Sequence, residues 1–342
     1  MTQFQPRVFA CIALFALLLC VDGCGAGGGS GTTGPPQLPP VPASLPTPPI
    51  APPASSIFLG AFVNPQGLAG GGGPSGVAAF EALIGRKLAL DEHYYGWTDV
   101  FPTVNETDDL ANGRIPVVSW NCGVPNAQIN NGSQDALIAR RAEAIAAYGG
   151  PIFLRYSWEM NLATHPGFRT ICYDPNTDLV NFYLSPSEFV NAWQRIRQIF
   201  AAAGAGNVIW LFNPSGKGAN PVLYYPGDDE VDWIGLDDYD DANISFVETY
   251  ATAYNVFKEF NKPILIAETG AQAAVQTSFF ATAASDLAFQ YPLVRGYMYF
   301  DAQGNNADWI LTGAGVAAFT TFANDPYLSA TPAAAVSVRR RR

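Results

Sequence analysis

The chain has 342 residues, of which 49% are hydrophobic and 14% are charged, and its formal net charge is −11. This composition predicts a large buried core and excludes disorder over most of the chain. Nucleic acid is excluded as a partner, because phosphate binding requires a basic surface. A neutral substrate such as a sugar suits both the charge and the aromatic content of 13%.

The N-terminal segment has the form of an export signal. Arg7 precedes an apolar run, Val8 to Val21, that is too short for an ordinary transmembrane helix. The run ends in "VDGC", which resembles a bacterial lipoprotein cleavage site with Cys24 as the lipidated N-terminus. Ordinary signal cleavage nearby is the alternative. We therefore predict a signal peptide over residues 1–24 and an exported protein, either anchored to a membrane or secreted.

Two segments of biased composition flank the predicted globular part. Residues 25–56 are rich in glycine and proline, which predicts a tether rather than a domain. Residues 329–342 end in four arginines and are predicted to form a disordered basic tail. One domain over residues 57–328 is the expected organisation, and we expect it to be a monomer.

Export makes disulfides possible, because the compartments outside the cytosol are oxidising. Two cysteines, Cys122 and Cys172, remain in the globular part once those of the signal and the anchor are set aside. We predict a bridge between them.

Eight β-rich runs alternate with helical stretches through the globular part. They are IFLGAFV from Ile57, KLALDEHYY from Lys87, RIPVVSW from Arg114, PIFLRYSWE from Pro151, NVIWLFN from Asn207, VDWIGLDDY from Val231, PILIAET from Pro263 and VRGYMYFD from Val294. Strands that alternate with helices predict an α/β fold with a parallel sheet. Eight such units match a single (β/α)8 TIM barrel, whose usual length is about 250 residues.

An open, doubly wound sheet is the alternative architecture. Gly71, Gly73 and Gly76 form a G-x-G-x-x-G match ahead of a predicted helix. These glycines do not follow the strand directly, and Pro74 removes one backbone donor from the loop. We therefore interpret the segment as a barrel loop.

In a later helix, Ser185 is predicted to be the N-cap, with Glu188 at the capping-box position.

Polar and aromatic residues collect where the predicted strands end, which is where such barrels have their active sites. Aromatic rings stack on sugar faces, and amides bind sugar hydroxyls, so these residues predict a carbohydrate cleft. The candidate substrate-binding residues are His93, Tyr95, Trp97, Trp120, Arg155, Trp158, Asn161, Trp210, Asn213, Tyr239, Tyr299 and Trp309.

Two glutamates end apolar strands, Glu159 on strand four and Glu268 on strand seven. Glycosidic cleavage needs two carboxyl groups, one protonated to donate to the leaving oxygen and one ionised to attack the anomeric carbon. A salt-bridged or surface role is the alternative for either glutamate taken alone. The two glutamates together at strand ends favour a glycosidase. Strands four and seven lie on opposing sides of a narrow barrel, which would bring the two carboxyl groups close together and predicts retention of configuration.

The globular part resembles glycoside hydrolase family 26 of clan A, whose members are mainly β-mannanases. "RYSWEMN" resembles the family's acid/base strand and implies that Glu159 is the proton donor, and "KPILIAETG" implies that Glu268 is the nucleophile. "YYPGDDEVDWIGLDDYD" resembles the stretch whose tyrosine, here Tyr239, lies near the nucleophile. "GYMYFDAQGNNADWIL" resembles the end of the barrel, with Trp309 in a recurring D-W pair.

The resemblance implies an endo-acting, retaining enzyme without a cofactor, acting most typically on β-1,4-mannan. One departure is Trp158, because the family usually has histidine before the acid/base. Strict alternation would turn Trp158 towards the helices, whereas a bulge would turn it into the cleft as a substrate-binding residue. The alternatives are a family relative that acts on β-1,3-xylan or mixed-linkage β-glucan, and a non-catalytic glycan-binding lipoprotein. The presence of both glutamates favours the enzyme.

Arg155 shares the strand face of Ser157 and Glu159 and is predicted to lie beneath the two glutamates. A cation there would help to keep Glu268 ionised, and pairing with another core acid is the alternative. No metal is predicted, because the acidic run Asp237 to Asp241 lacks the loop spacing of a calcium site. The expected partner is a polysaccharide or oligosaccharide.

Overall fold

The computed structural model describes residues 50–68, 71–163, 172, 174, 184–240, 244–304 and 307–332. The predicted signal, Cys24, most of the predicted tether and the arginines of the predicted tail lie outside these residues. Within the part of the chain so described, no helix has both the length and the apolar character needed to cross a membrane.

Eight parallel strands close into a barrel in the order of the sequence, with β8 paired to β1. The prediction of a (β/α)8 barrel is confirmed. The strands are β1 (Phe58–Asn64), β2 (Leu90–Tyr95), β3 (Ile115–Trp120), β4 (Ile152–Tyr156), β5 (Val208–Phe212), β6 (Trp233–Asp237), β7 (Ile264–Glu268) and β8 (Val294–Ala302).

Helices follow the strands and cover the outside of the barrel. They are α1 (Gly73–Ile84), α2 (Val104–Ala111), α3 (Asn126–Asn130), α4 (Asp135–Tyr148), α5 (Pro186–Ala202), α6 (Phe246–Phe257), α7 (Gln276–Phe280), α8 (Ala283–Gln290) and α9 (Ala314–Ala323). Short 3₁₀ helices span Pro221–Tyr224, Asp228–Glu230, Lys258–Phe260 and Pro326–Leu328.

Helix α5 begins as predicted after Ser185, but the expected capping box is not formed. The Glu188 carboxylate instead accepts a hydrogen bond from the Asn130 side chain of α3. A capping box needs the glutamate to reach back to the N-cap backbone, and the neighbouring amide competes for the same oxygen. Complete capping boxes do occur at Thr103 of α2 and at Ser245 of α6.

The barrel interior is apolar towards the N-terminal ends of the strands. Its side chains form one buried cluster: Phe58, Leu90, Ile115, Phe153, Ile209, Trp233, Leu265 and Met298, joined by Ile50 and Ala330. Ile50, which the sequence placed in the tether, is only 1% exposed. Residues from both ends of the described chain therefore pack with the barrel floor, and the polar residues of the interior lie nearer the C-terminal ends of the strands.

Candidate active site

Arg155 is fully buried on β4, where its guanidinium contacts several acidic side chains. Its Nη2 donates to Glu92 Oε1 and to Glu268 Oε1, and its Nη1 lies 3.2 Å from Asp237 Oδ2. Arg155 therefore lies next to Glu268, as predicted, and it also pairs with two other core acids, as in the alternative. One guanidinium connects carboxylates from β2, β6 and β7.

Glu268 receives hydrogen bonds from three side chains at the end of β7. Tyr94 donates to Oε1 and Tyr239 to Oε2, each over 2.7 Å, and Arg155 donates to Oε1 as well. Burial by itself raises the pKa of Glu268, but the Arg155 charge and the tyrosine hydrogen bonds outweigh it and leave the pKa below its ordinary value. Glu268 is therefore ionised at neutral pH, as a nucleophile must be.

Glu159 lies in a turn rather than on a strand, because β4 ends at Tyr156. The backbone is left-handed at Ser157, with φ of 46°, and at Glu159, with φ of 52°. Such angles are uncommon for residues other than glycine and cost free energy unless the surroundings impose them. Here Ser157 N donates to Trp120 O and Glu159 N donates to Asn213 O, so neighbouring strands hold the turn on both sides.

The half-buried side chain of Glu159 acts electrostatically on the same groups as Glu268. Burial raises the pKa of the Tyr239 hydroxyl, and the charges of Glu268, Asp237 and Glu159 raise it further. Tyr239 also packs against the ring of Trp309, with 4.9 Å between centroids. The two predicted catalytic glutamates, Tyr239 and Trp309 therefore lie in one region.

Trp158 lies on the inner side of the barrel mouth and not among the helices. Its ring meets Tyr94 edge to face at 5.2 Å, and the Arg155 guanidinium carbon lies 5.1 Å from its centroid. The left-handed Ser157 that precedes Trp158 breaks the strand alternation that would have turned the ring outwards. The structure thus places Trp158 against Tyr94 and Arg155, two of the side chains that donate hydrogen bonds to Glu268.

His93 and Tyr95 were predicted to bind substrate, and the structure places both on the outer face of β2. Tyr95 donates to Glu106 on α2 over 2.7 Å, and His93 contacts Asp109 on the same helix over 2.8 Å. Side chains alternate along a strand, so these two point away from the face that carries Glu92 and Tyr94.

The same alternation corrects the predictions for Trp97, Trp120, Trp210 and Tyr299. Trp97 stacks on Trp120 with 4.4 Å between centroids, and both are buried outside the barrel. Trp210 packs against Trp193 of α5 with 5.7 Å between centroids. Tyr299 is fully buried and donates to the backbone oxygen of Trp309 over 2.6 Å. These rings fill the layer between strands and helices.

The two asparagines hold the site together instead of facing a substrate. Asn161 Oδ1 accepts from Ser215 N over 2.8 Å, and its Nδ2 donates to the backbone oxygens of Ser215 and Ala219. Asn213 Oδ1 accepts from Arg155 over 3.2 Å. Asn161 therefore shapes the loop after β5, and Asn213 fixes both Arg155 and the Glu159 backbone.

Three residues of the site, Glu92, Tyr94 and Asp237, were not selected as site residues from the sequence. Glu92 and Tyr94 share one face of β2, and Asp237 ends β6 at an irregularity in its pairing with β7. The available signal was the alternation itself, since Leu90, Glu92 and Tyr94 occupy every second position. Strand ends alone did not reveal which face was inside.

Asp91, His93 and Asp109 bring potential ligand atoms within 4.8 Å of one another in the described chain. Both Asp109 oxygens are engaged, one by His93 and one by Arg114 Nε at 2.7 Å. Burial lowers the pKa of His93, but Asp91 and Asp109 more than offset this and raise it to about 9. The contacts of His93 with Asp91 and Asp109, and of Arg114 with Asp109, make this cluster a network of ion pairs.

Cys122, which follows β3, is joined to Cys172 by a disulfide, with 5.6 Å between the Cα atoms. The bond connects the loops that follow β3 and β4, and both sulfurs belong to buried residues.

Sequence and structure comparisons agree with this geometry. Residues 183–319 match the model of glycosyl hydrolase family 26. Endoglucanase H of Acetivibrio thermocellus is 32% identical over 229 residues, which are 63% of this chain and 24% of that protein. A mannan endo-1,4-β-mannosidase of Bacillus subtilis is 27% identical over 208 residues, 57% of this chain and 54% of that one. The chain thus spans between a quarter and about half of the length of these relatives.

Solved structures show the same fold at lower identity. A family 26 β-mannanase from Bacteroides ovatus superposes with a TM-score of 0.59 at 15% identity, covering 80% of this chain and 90% of that one. Mannanase man26 of Bacillus subtilis gives 0.58 at 16% identity, covering 80% and 86%.

The fold defines the class of the protein, a (β/α)8 barrel. The match of residues 183–319 to the family 26 model and the similarity to the two relatives agree with the resemblance found in the sequence.

We expect the ion pairs of His93 to make stability depend on pH. Its folded pKa is raised from 6.5 to about 9, so the stabilisation is complete below pH 6.5 and is lost as pH rises through 9. A pKa shift of this size contributes on the order of 3 kcal/mol to the free energy of unfolding. Urea unfolding between pH 6.5 and 9 should show a fall in the free energy of unfolding that is much smaller in His93→Gln. Equal slopes in both proteins would contradict the assignment.

Proposed function

We propose that this protein is a retaining, endo-acting glycoside hydrolase of β-linked polysaccharides, with β-1,4-mannan as the first substrate. The observation that carries the proposal is the environment of Glu268. It is a buried carboxylate with a lowered pKa, held by Arg155, Tyr94 and Tyr239, in the same electrostatic neighbourhood as the half-buried Glu159. The similarity to an endoglucanase and to a mannan endo-1,4-β-mannosidase supports glycan cleavage.

In the proposed mechanism, the Glu268 carboxylate attacks the anomeric carbon while Glu159 gives its proton to the leaving oxygen. The glycosidic bond breaks and an ester forms between Glu268 and the sugar. Glu159, now an anion, then takes a proton from water, whose oxygen attacks the same carbon and releases Glu268 as a carboxylate. The donors Tyr94, Tyr239 and Arg155 orient Glu268 for both displacements.

A second substrate class, β-glucan, is favoured by one comparison and one residue. The chain is 32% identical to a protein named endoglucanase and 27% identical to the named mannosidase. Trp158 also presents an indole beside Tyr94 and Arg155 where the family usually has histidine, which provides a larger apolar surface. Release of reducing ends from mannan, galactomannan, lichenan and β-1,3-xylan by the purified protein decides among them.

Glutamine substitutions test the two catalytic glutamates. Glu159→Gln removes the general acid and should lower kcat on polysaccharide by roughly 10²–10⁴-fold. Glu268→Gln removes the nucleophile and should abolish double displacement. Glu143→Gln, at an exposed glutamate of α4, is the matched control and should keep normal turnover. Folded variants of Glu159 or Glu268 with near-normal turnover would remove that residue from the mechanism.

The stereochemical outcome tests whether Glu268 is a covalent nucleophile. A retaining pair of carboxyl groups lies about 5–5.5 Å apart, too close to admit a water molecule between Glu268 and the sugar. Two displacements then restore the starting configuration. Proton NMR in the first minutes of hydrolysis should show the β-anomer of the new reducing end before mutarotation. An initial α-anomer would mean inversion and would reject the role of Glu268.

We also propose that the chain is exported and carried on a bacterial membrane through a lipid on Cys24, with residues 25–49 as part of the tether. The sequence "VDGC" after an apolar run supports this. Metabolic labelling with palmitate should mark the wild type and leave a Cys24→Ser variant unlabelled. Soluble, unlabelled wild-type protein outside the cell would favour secretion instead.

A further inference from the structure

Glu92 is a buried carboxyl group that the two-glutamate mechanism does not use. It lies on β2 and is 2% exposed. Its Oε1 accepts a hydrogen bond from Ser119 Oγ over 2.7 Å and another from Arg155 Nη2. Arg155 Nε in turn donates to Ser119 Oγ. Glu92, Ser119 and Arg155 thus form a closed triangle of hydrogen bonds across β2, β3 and β4.

The same nitrogen of Arg155 serves both Glu92 and Glu268. Nη2 donates to Oε1 of each glutamate and also lies 2.9 Å from the Tyr94 hydroxyl. Any displacement of Glu92 Oε1 therefore shifts the group that stabilises the Glu268 anion. The opposite edge of the guanidinium is held separately, by Asn213 and Asp237 through Nη1.

The balance of charges around Arg155 indicates whether Glu92 contributes a negative charge or only a hydrogen-bond acceptor. Glu92, Asp237 and Glu268 share a single guanidinium, and full ionisation of all three would bury two uncompensated negative charges. Burial raises the pKa of Glu92; Arg155 lowers it and Glu268 raises it again, which leaves it at about 7. Glu92 therefore need not be an anion at neutral pH to keep its contacts, since a neutral carboxyl oxygen still accepts hydrogen bonds.

We propose that Glu92 is a positioning residue, which fixes the Arg155 guanidinium against Glu268 by accepting hydrogen bonds at Oε1. The location of Glu92 Oε1 determines the position of the guanidinium, and a negative charge on that oxygen is not required. The inference rests on the proposed function of Glu268 as the nucleophile. The groups that face this cluster are Arg155, Glu268, Asp237, Tyr94, Tyr239 and Glu159.

Two substitutions separate position from charge. Glu92→Gln keeps an acceptor oxygen in place and removes the charge, whereas Glu92→Asp keeps the charge and withdraws the oxygen by one methylene. Carbon NMR of protein labelled at the glutamate carboxyl carbons, with Glu268 assigned through Glu268→Gln, reports the pKa of Glu268. Glu81→Gln and Glu81→Asp are matched controls, because Glu81 is a buried glutamate that pairs with Arg114 away from Arg155.

The proposal expects Glu92→Gln to leave the Glu268 pKa at or below its wild-type value, with kcat within about tenfold of wild type. Glu92→Asp should raise that pKa by about one unit or more and lower kcat by about 10²-fold with little change in KM. The reverse order, or no shift in either variant, would overturn it. If the wild type cleaves no glycan, the proposed function fails, and the NMR comparison still decides the role of Glu92. Thermal unfolding confirms that each variant is folded.

Discussion

The arrangement of the site depends on one buried cation. Arg155 has no exposed surface, and removing the partners of a buried charge costs several kcal/mol. The barrel meets this requirement with side chains from several strands, among them Ser119 of β3 and Asn213 after β5. Because these partners come from β2, β3, β6, β7 and the segment after β5, the guanidinium also fixes the relative positions of those strands at the mouth of the barrel.

The need to hold the partners of Arg155 in place also restricts the backbone beneath the site. Gly235 lies on β6 next to the Asn213 amide, and a Cβ at that position would collide with the oxygen that accepts from Arg155. A glycine is therefore needed there for steric reasons and not for conformational freedom. At the other end of the interior, apolar side chains fill the barrel, so water is kept away from the arginine on that side.

The turn after β4 concentrates unusual backbone at the site. Left-handed angles at Ser157 and Glu159 bring Trp158 inside the mouth and carry Glu159 to the half-exposed lip. The hydrogen bonds from Ser157 and Glu159 to the backbones of Trp120 and Asn213 make that conformation the favoured one. Backbone strain of this kind is typical of functional sites.

The sequence predicted the barrel well, because alternation of strands and helices is a repeated signal that survives errors at individual boundaries. Glu268 and Tyr239 were also found, since both stand at or just beyond strand ends. The errors concerned which face of a strand a side chain is on: Trp120 at the end of β3 and Tyr299 within β8 both face the helices. Trp158 shows the converse, because a left-handed residue that is not glycine has no signature in the sequence.

The carboxyl groups around Arg155 are coupled electrostatically to the charge of Glu268. Burial raises the pKa values of Glu92 and Asp237, the Arg155 charge lowers both, and the anion of Glu268 raises both again. In the proposed cycle, esterification removes the Glu268 charge and with it that repulsion. The pKa values of Glu92 and Asp237 then fall, so the carboxyl groups around Arg155 respond to the charge of the nucleophile.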